Sequence, residues 1–223
     1  MSEKRIGVYG GTFDPIHIGH IEIARAVVRR FALEQLLIIP AHRPPHKTTN
    51  HISEAHHRYE MARLAFKDEP RIEVSKMEIE LPEKPYTVQT LERLQAQYGN
   101  AIKFFFVMGG DSFAELHLWR EYQRLLAMTN IIVSLRPGHE LSASHLDDTI
   151  RARVIDLRGQ LKHRQDPVAK AEGCFIYLTD YVNQNVSSTE IRRRVKNGES
   201  INGLTPLAVI DYIERHKLYR QNV

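Results

Sequence analysis

The chain has 223 residues, of which 42% are hydrophobic and 26% are charged, and its formal net charge is +4. These values exclude a disordered, collagen-like or coiled-coil chain. No apolar run approaches the roughly 18 residues of a membrane span, and no secretory signal is recognisable, so we expect no membrane partner. The single cysteine, Cys174, excludes an internal disulfide and a cysteine-rich zinc site and favours a reducing cytoplasm. The basic residues are not concentrated in one stripe, so the charge predicts no nucleic-acid partner.

Strand and helix patterns alternate along the first half of the chain. In order, they predict a strand over 4–10, a helix over 18–31, a strand over 36–39, a helix over 53–67 and a strand over 71–79. Ser53 is the expected N-cap of the second helix. The side chains of Tyr59, Ala62 and Phe66 are expected to face inward from it.

The alternation continues to the end of the chain. It predicts a helix capped by Thr87 that ends at Gly99, strands over 102–108, 130–135 and 174–178, an elaborated crossover at about 139–173 that contains a helix, and two C-terminal helices from about 187. Residues 102–108 are apolar on both faces, which is typical of a central parallel strand. Pro206 is the expected first residue of the last helix. The core face of that helix is predicted at Leu207, Val209, Ile210 and Ile213.

This order of elements predicts an α/β fold with a doubly wound parallel sheet. No linker or internal repeat interrupts the sequence, so we expect one domain over 1–223. Ligands of such sheets bind at the carboxyl ends of the strands, near the point where the strand order reverses. The first strand ends at Gly10-Gly11 and the fourth at Gly109-Gly110, so both glycine pairs are expected at that edge.

A glycine-rich turn, GGTFDPIHIGH over 10–20, follows the first strand. Gly10 and Gly11 allow a tight turn and bring backbone N–H groups close to a ligand. His17 and His20 lie on one face at the start of a helix, where the N–H groups and the helix dipole favour anions. At Gly19 no side chain separates the imidazoles, so we expect a phosphate to approach the backbone there. Two histidines at this spacing with no third ligand make a poor zinc site, and the turn therefore predicts a polyphosphate cradle.

A second anion-binding helix start is predicted in the sequence SSTEIRRR over 187–194. Ser187 and Glu190 have the spacing of a capping box. Ser188 and Thr189 can donate hydroxyl and backbone N–H groups to phosphate. Arg192 offers a planar fork of donors to the same phosphates, whereas the next two arginines are expected to form a solvated basic face.

Both segments resemble the signatures of one superfamily. HIGH at 17–20 resembles the (T/H)xGH motif of nucleotidylyltransferases, and SSTEIR at 187–192 resembles their SSTxIR motif. Within that superfamily the chain is similar to bacterial nicotinate-nucleotide adenylyltransferases over nearly its whole length. The similarity extends to PPHK at 44–47, YTVQTL at 86–91, GGDS at 109–112, the only tryptophan at 119 and RPG at 136–138. It is weakest over 139–173.

The resemblance implies a Rossmann-like nucleotidylyltransferase fold and adenylyl transfer from ATP to nicotinate mononucleotide, giving nicotinate adenine dinucleotide and pyrophosphate. It implies catalysis by His17, His20 and Arg192, with Mg²⁺ held mainly by the ATP phosphates and water and by no protein ligand. The implied ATP contacts are Gly10, Gly11, Thr12, Phe13, His17, His20, Gly109, Asp111, Ser187, Ser188, Thr189 and Arg192. The implied contacts to nicotinate mononucleotide are Lys47, Thr87, Trp119 and Arg136.

Other functions on this fold are alternatives to adenylyl transfer to nicotinate mononucleotide. An adenylyltransferase for nicotinamide mononucleotide or another phosphate acceptor would share both signatures, although Trp119 and the PPHK segment disfavour a phosphopantetheine acceptor. A class I aminoacyl-tRNA synthetase also carries HIGH, but nothing here resembles its KMSKS loop. A non-enzymatic nucleotide sensor could lose His17, His20 or Arg192, and all three are present. The sequence leaves open whether the protein is a monomer or a homo-oligomer.

Overall fold

The computed structural model describes residues 4–42, 52–83, 85–99, 101–135, 146–160, 168, 173–182 and 184–220. The strands are β1 (Lys4–Gly11), β2 (Gln35–Pro40), β3 (Ile72–Val74), β4 (Ile102–Gly109), β5 (Asn130–Ser134), β6 (Val154–Asp156) and β7 (Ile176–Thr179). The helices are α1 (Ile18–Arg30), α2 (Ala55–Ala65), α3 (Thr87–Tyr98), α4 (Gly110–Ala114), α5 (Tyr122–Met128), α6 (Asp148–Arg151), α7 (Ser188–Lys196) and α8 (Leu207–Arg215), with a 3₁₀ turn at Leu116–Leu118. The strands form one parallel sheet in the order β3-β2-β1-β4-β5-β7-β6.

Side chains along each central strand alternate between two hydrophobic cores. In β4, Phe105 and Val107 belong to the first core, whereas Phe104 and Phe106 belong to the second. Residues of α1, α2, α7 and α8 cover the first core, and residues of α3, α4, α5 and α6 cover the second. Helices on both faces of a parallel sheet confirm the predicted doubly wound α/β fold. The prediction of a single domain over 1–223 stays a prediction.

The strand order reverses between β1 and β4. From β1 the chain proceeds to β2 and β3 on one side, and then returns to place β4 against the other side of β1. In the pairing of β1 with β4, Tyr9 lies opposite Val107. Gly10-Gly11 and Gly109 therefore lie side by side at the carboxyl ends of their strands. The two glycine segments therefore meet at the reversal point, where ligands of doubly wound sheets bind.

Two predicted segments have a different extent in the structure. β3 ends at Val74 and not at residue 79, because the chain then turns, and the Glu78 carboxylate accepts a hydrogen bond of 2.7 Å from the Thr90 hydroxyl of α3. Within the predicted crossover at 139–173, the short helix α6 is present, but the edge strand β6 was not predicted. β6 has three residues and pairs only with β7, which is too short for an alternating pattern to be read from the sequence.

Three predicted helix starts are displaced. Ser53 is not the cap of α2, because its backbone N–H donates to the Asp14 carboxylate at 3.2 Å; Glu54 occupies the N-cap position. Thr87 is the first residue of α3 and Tyr86 precedes it as the N-cap residue. Pro206 likewise precedes α8 as its N-cap residue and is not its first helical residue.

One predicted core residue of α8 is exposed. Leu207 is 72% exposed, whereas Val209, Ile210 and Ile213 are buried. At about 100° per residue, Leu207 lies about 160° from Val209 and about 120° from Ile213 around the helix axis, at the edge of the buried face. Among the described residues, no helix combines the length and apolar character needed to cross a bilayer.

The two glycines at the end of β1 differ in the space around them. A Cβ atom on Gly11 would lie 2.7 Å from the ring of Phe13, whereas one on Gly10 would lie 3.5 Å from the ring of Phe106. Phe13 is 2% exposed and belongs to the first core. Its ring cannot move away from residue 11 without disturbing that packing.

We therefore expect Gly11→Ala to lower the free energy of unfolding by about 1–3 kcal/mol, as overpacking does in other cores. Gly10→Ala is the matched control and should change it by less than about 1 kcal/mol, because its new methyl group meets only ordinary van der Waals contacts. Urea denaturation of both variants measures the difference. Equal destabilisation by the two substitutions would contradict the assigned role of Phe13.

Candidate active site

The turn between β1 and α1 is built around a residue in the left-handed region. Phe13 has a φ of 50° and turns its ring inward, against the edges of Tyr9 at 5.4 Å and His20 at 5.1 Å between ring centroids. Thr12 stays at the partly exposed rim, and the peptide bond between Asp14 and Pro15 is cis. Because the Phe13 side chain is buried, only its backbone is available for the predicted ATP contact.

The two histidines of this turn form one stacked pair. Their ring centroids are 3.7 Å apart with an angle of 25° between the planes, and His17 is only 5% exposed. The His17 backbone N–H donates to His20 Nδ1 at 3.3 Å. A neutral imidazole that accepts at Nδ1 carries its proton on Nε2, so His20 is set as a donor through Nε2.

The space between the imidazoles differs from the expectation. The rings are in contact, so no phosphate fits between them, and a Cβ atom on Gly19 would lie 3.2 Å from the His17 ring. Gly19 is therefore needed to admit that ring and not to open a path for phosphate. At the same helix start, the Ile18 N–H donates to the Leu204 carbonyl at 3.0 Å, so this N–H is not available to a ligand.

The second motif starts α7 directly against this turn. Ser187 caps the helix, with its Oγ accepting from the Glu190 N–H at 3.1 Å. Ser188 Oγ donates to the Pro15 carbonyl at 2.9 Å, across 173 residues of sequence. Arg192 donates to the Asp14 carbonyl at 2.7 Å. The tertiary structure thus brings the two sequence motifs together through hydrogen bonds, as the function predicted from them requires.

The three consecutive arginines of α7 have different partners. Arg192 bonds to two neutral oxygens, the Asp14 carbonyl and the Thr189 hydroxyl at 3.4 Å. Arg193 pairs with the carboxylates of Glu190 at 2.8 Å and Glu199 at 2.6 Å, on the exposed side of the helix. Hydrogen bonds from Arg193 and Arg194 lower the pKa of Glu190 to about 2. Glu190 therefore pairs with arginine and does not complete the predicted capping box, whereas Arg192 forms no ion pair with a carboxylate of the described residues.

The end of β4 forms the side of the site across from the turn between β1 and α1. Gly109 occupies the N-cap position of α4, and apart from its chain neighbours no described residue has an atom within 4 Å of the place where its Cβ would be. Asp111 is exposed in the first turn of α4 and does not cap it. A backbone with open space and an accessible carboxylate suit the predicted contacts to a ribose.

Two of the predicted acceptor residues, Thr87 and Trp119, lie on the side of the second core. Trp119 is partly buried, with its ring edge-on to Phe106 of β4 at 6.2 Å. At the start of α3, the N–H groups of Gln89 and Thr90 bond to the Tyr86 carbonyl, and the Thr87 N–H belongs to the first turn, which has no preceding helical carbonyl to accept from it. The Arg120 guanidinium lies over the Tyr86 ring at 4.9 Å and joins these two segments, a contact that the sequence pattern did not indicate. The predicted residues Lys47 and Arg136 lie outside the described residues.

One buried charge near the turn was missed by the sequence reasoning. Arg58 of α2 is 1% exposed, whereas the predicted inward residue Tyr59 is only partly buried. Arg58 lies four and eight residues before Ala62 and Phe66, which are buried, so the helical spacing indicated its direction. The expectation that an arginine faces solvent obscured that signal.

No metal-binding cluster is found in the part of the chain that the structure describes. Within it, no group of three or more His, Cys, Asp or Glu side chains is arranged to hold a metal ion.

Comparison with known proteins agrees with this geometry. Residues 8–194 match the cytidylyltransferase-like family. A protein from Desulfatibacillum aliphaticivorans is 38% identical over 96% of this chain and 99% of its own length, and one from Roseiflexus castenholzii is 39% identical over 99% of this chain and all of its own. Both are named "probable nicotinate-nucleotide adenylyltransferase".

Solved structures show the same fold. Nicotinic acid mononucleotide adenylyltransferase of Plasmodium falciparum, complexed with NaAD, aligns with a TM-score of 0.70 over 97% of both chains at 21% identity. The fold, the meeting of the two signatures and the sequence identity over nearly full length all agree, and the chain belongs to the nicotinate-nucleotide adenylyltransferase family.

Proposed function

We propose that this protein transfers the adenylyl group of ATP to the phosphate of nicotinate mononucleotide, with nicotinate adenine dinucleotide and pyrophosphate as products. The observation that carries the proposal is the junction of the two motifs, where Arg192 and Ser188 bond to the carbonyls of Asp14 and Pro15. This junction places donors of both motifs around one loop at the reversal point of the sheet. Relatives with the corresponding name support the choice of substrates.

The chemistry needs alignment and charge stabilisation more than a protein nucleophile. An oxygen of the acceptor phosphate attacks the α-phosphorus of ATP, and the bond from that phosphorus to the oxygen bridging the β-phosphate breaks. The attacking phosphate is already an anion at neutral pH, so no general base is required. Donors that face the transferring and leaving phosphates supply the rate enhancement by holding the reactants in line and by stabilising negative charge.

Three side chains are assigned to that stabilisation. Arg192 is held at the loop by its bond to Asp14, and no carboxylate of the described residues forms an ion pair with it. His20 presents Nε2–H as a donor, because its Nδ1 accepts from the His17 backbone. His17 stacks on His20 and fixes the orientation of that ring. The contacts of these groups to ATP are part of the proposal.

We propose that Mg²⁺ arrives with ATP as its magnesium complex and is held by phosphate oxygens and water. Apart from the Asp111 carboxylate, which is proposed to contact ribose, the described part of the site supplies hydroxyl, amide, imidazole and guanidinium groups, which donate to phosphate. We expect the reaction to take place in a reducing cytoplasm and to involve no nucleic acid.

The acceptor half of the site is proposed to lie between Thr87 and Trp119. A carboxylate on the pyridine ring accepts from the N–H groups at the start of α3 and is favoured by the positive end of the helix dipole. The Trp119 ring, supported by Phe106, offers a stacking face. Lys47 and Arg136 are proposed as further contacts to the acceptor, Lys47 as a point charge for its phosphate.

We expect His20→Ala to lower kcat by about 10²–10³, the usual loss when one donor to transition-state charge is removed. The protein should stay folded, because Ile21 and Ala24 hold α1 to the core. Pyrophosphate release with saturating Mg·ATP and nicotinate mononucleotide measures kcat, and circular dichroism checks the fold. A folded variant with wild-type turnover would remove His20 from the mechanism.

Arg192→Lys should lower kcat/KM for ATP by at least about 10-fold, because lysine keeps the charge but loses the planar fork. Arg193→Ala and Arg194→Ala serve as controls on the same helix and should stay within about two-fold of wild type, since both arginines bond to Glu190. Steady-state kinetics with varied ATP tests all three. Greater damage from either control would show that the second motif has been assigned to the wrong arginine.

The enzyme should prefer nicotinate mononucleotide to nicotinamide mononucleotide by about 10²–10⁴ in kcat/KM. The amide is a weaker acceptor and places an NH₂ group against donors, and each such mismatch in a closed pocket costs about 1–3 kcal/mol. Competing both acceptors in one assay measures the ratio, and Trp119→Ala should raise KM for the acceptor. Equal use of both nucleotides would overturn the assignment of Thr87 to the carboxylate.

A further inference from the structure

The buried carboxylate of Asp14 anchors the turn between β1 and α1. The Asp14 side chain is 1% exposed, and its two oxygens accept from the Tyr219 hydroxyl at 2.6 Å and the Ser53 N–H at 3.2 Å. Tyr219 belongs to the turn after α8, where its φ of 63° directs the chain back toward β1. Burial and the neighbouring Asp14 carboxylate raise the pKa of Tyr219 well above its usual value, so the hydroxyl stays a donor.

A buried guanidinium holds the same turn from α2. Arg58 donates to the carbonyls of Thr12 at 2.9 Å, His42 at 3.0 Å and Ser53 at 3.0 Å. These carbonyls belong to three separate segments, which are the turn after β1, the end of β2 and the residues before α2. All three guanidinium nitrogens donate within the protein, so Arg58 acts through the backbone and is not directed at a ligand. Burial lowers the pKa of Arg58, while the Asp14 carboxylate opposes that shift.

The carboxylate and the carbonyl of Asp14 face different parts of the protein. The carboxylate bonds to Tyr219, and the carbonyl receives the Arg192 guanidinium at 2.7 Å. A shift of the Asp14 side chain therefore moves the acceptor that orients Arg192. The adjacent Phe13 is a left-handed non-glycine residue, a conformation that persists only where surrounding contacts impose it.

We propose that Tyr219 and Arg58 are positioning residues of the adenylyl-transfer reaction, which hold Asp14 and Thr12 so that Arg192 is directed toward the triphosphate. The proposal rests on the proposed function for its kinetic part. It assigns the turn after α8 to the active site, although neither residue contacts substrate. A residue that only stabilised the fold would change the melting temperature and leave kcat of the folded enzyme unchanged.

Tyr219→Phe tests this by removing one hydroxyl group and little volume. Tyr212→Phe is the matched control, because Tyr212 lies on α8 and its hydroxyl bonds to His57 at 2.9 Å and not to Asp14. At a temperature well below both melting points, we expect Tyr219→Phe to lower kcat about 10-fold or more, with KM for nicotinate mononucleotide within about two-fold, because small misplacements of reacting groups have large effects on rate. Tyr212→Phe should keep wild-type kcat. Wild-type kcat in Tyr219→Phe, or an equal loss in both variants, would overturn the proposal.

A double-mutant cycle identifies the residue through which Tyr219 acts. In an Arg192→Lys background, Tyr219→Phe should have a much smaller effect on kcat than in the wild type, since the group that it positions is already impaired. In an Arg193→Ala background it should retain its full effect. If the losses from Tyr219→Phe and Arg192→Lys multiply, the two residues act independently and the proposed route through Asp14 is wrong.

A measurement without substrates separates this proposal from the proposed function. The imidazole proton resonances of His17 and His20 should shift in Tyr219→Phe and remain unchanged in Tyr212→Phe. The Tyr219 hydroxyl bonds to Asp14 in the turn that holds the histidines, whereas the Tyr212 hydroxyl bonds to His57. Unchanged resonances in Tyr219→Phe would overturn the positioning role. A wild-type enzyme that forms no dinucleotide from ATP and nicotinate mononucleotide would refute the proposed function instead, and the resonances would still report on the turn.

Discussion

The hydrogen bond from the Arg192 guanidinium to the carbonyl of Asp14 joins the two ends of the sequence at the point where the sheet reverses its order. The other contacts around the site depend on this one loop staying in place. Asp14 is held by the Tyr219 hydroxyl, by the Ser53 N–H from the segment before α2 and by Arg192 from α7. Because Asp14 is buried, loss of one of these partners leaves one of its polar atoms without a hydrogen bond, which destabilises the turn.

The topology explains why anion-binding groups collect at one edge without a strongly basic sequence. In a parallel sheet with right-handed crossovers, each helix that follows a strand begins near the carboxyl end of that strand. The starts of α1 and α4 therefore lie beside the glycines that end β1 and β4, and the hydrogen bonds of Ser188 and Arg192 bring the start of α7 to the same loop. Backbone N–H groups and helix dipoles supply positive potential there. Among the arginines of α7, Arg192 adds most to this positive potential, since Arg193 and Arg194 pair with glutamates.

The two faces of the sheet contribute different parts of the site. The turn of Phe13 and the stacked histidines rests on the first core, where Phe13 packs with Tyr9 and His20. Trp119 rests on the second core through Phe106 of β4. The reversal point between β1 and β4 lies between these two parts. Close packing beneath each part restricts its movement.

The order of most strands and helices, the doubly wound fold and the two signatures of the family can be read from the sequence, although the edge strand β6 cannot. These features follow from local spacing, such as the unbroken apolar run of residues 102–108 or the cap formed by Ser187, and local spacing is visible in a linear sequence. The folded structure was needed to show that the His17 and His20 rings stack, that Ser53 donates to Asp14 and does not cap α2, and that Arg58 is buried. The last two depend on groups that are far apart in sequence, because Ser53 reaches Asp14 across 39 residues and Arg58 reaches the Thr12 carbonyl across 46. A buried charge is stable only where partners satisfy it, so the helical spacing of Arg58 indicates its direction, but only its distant partners explain why it is buried.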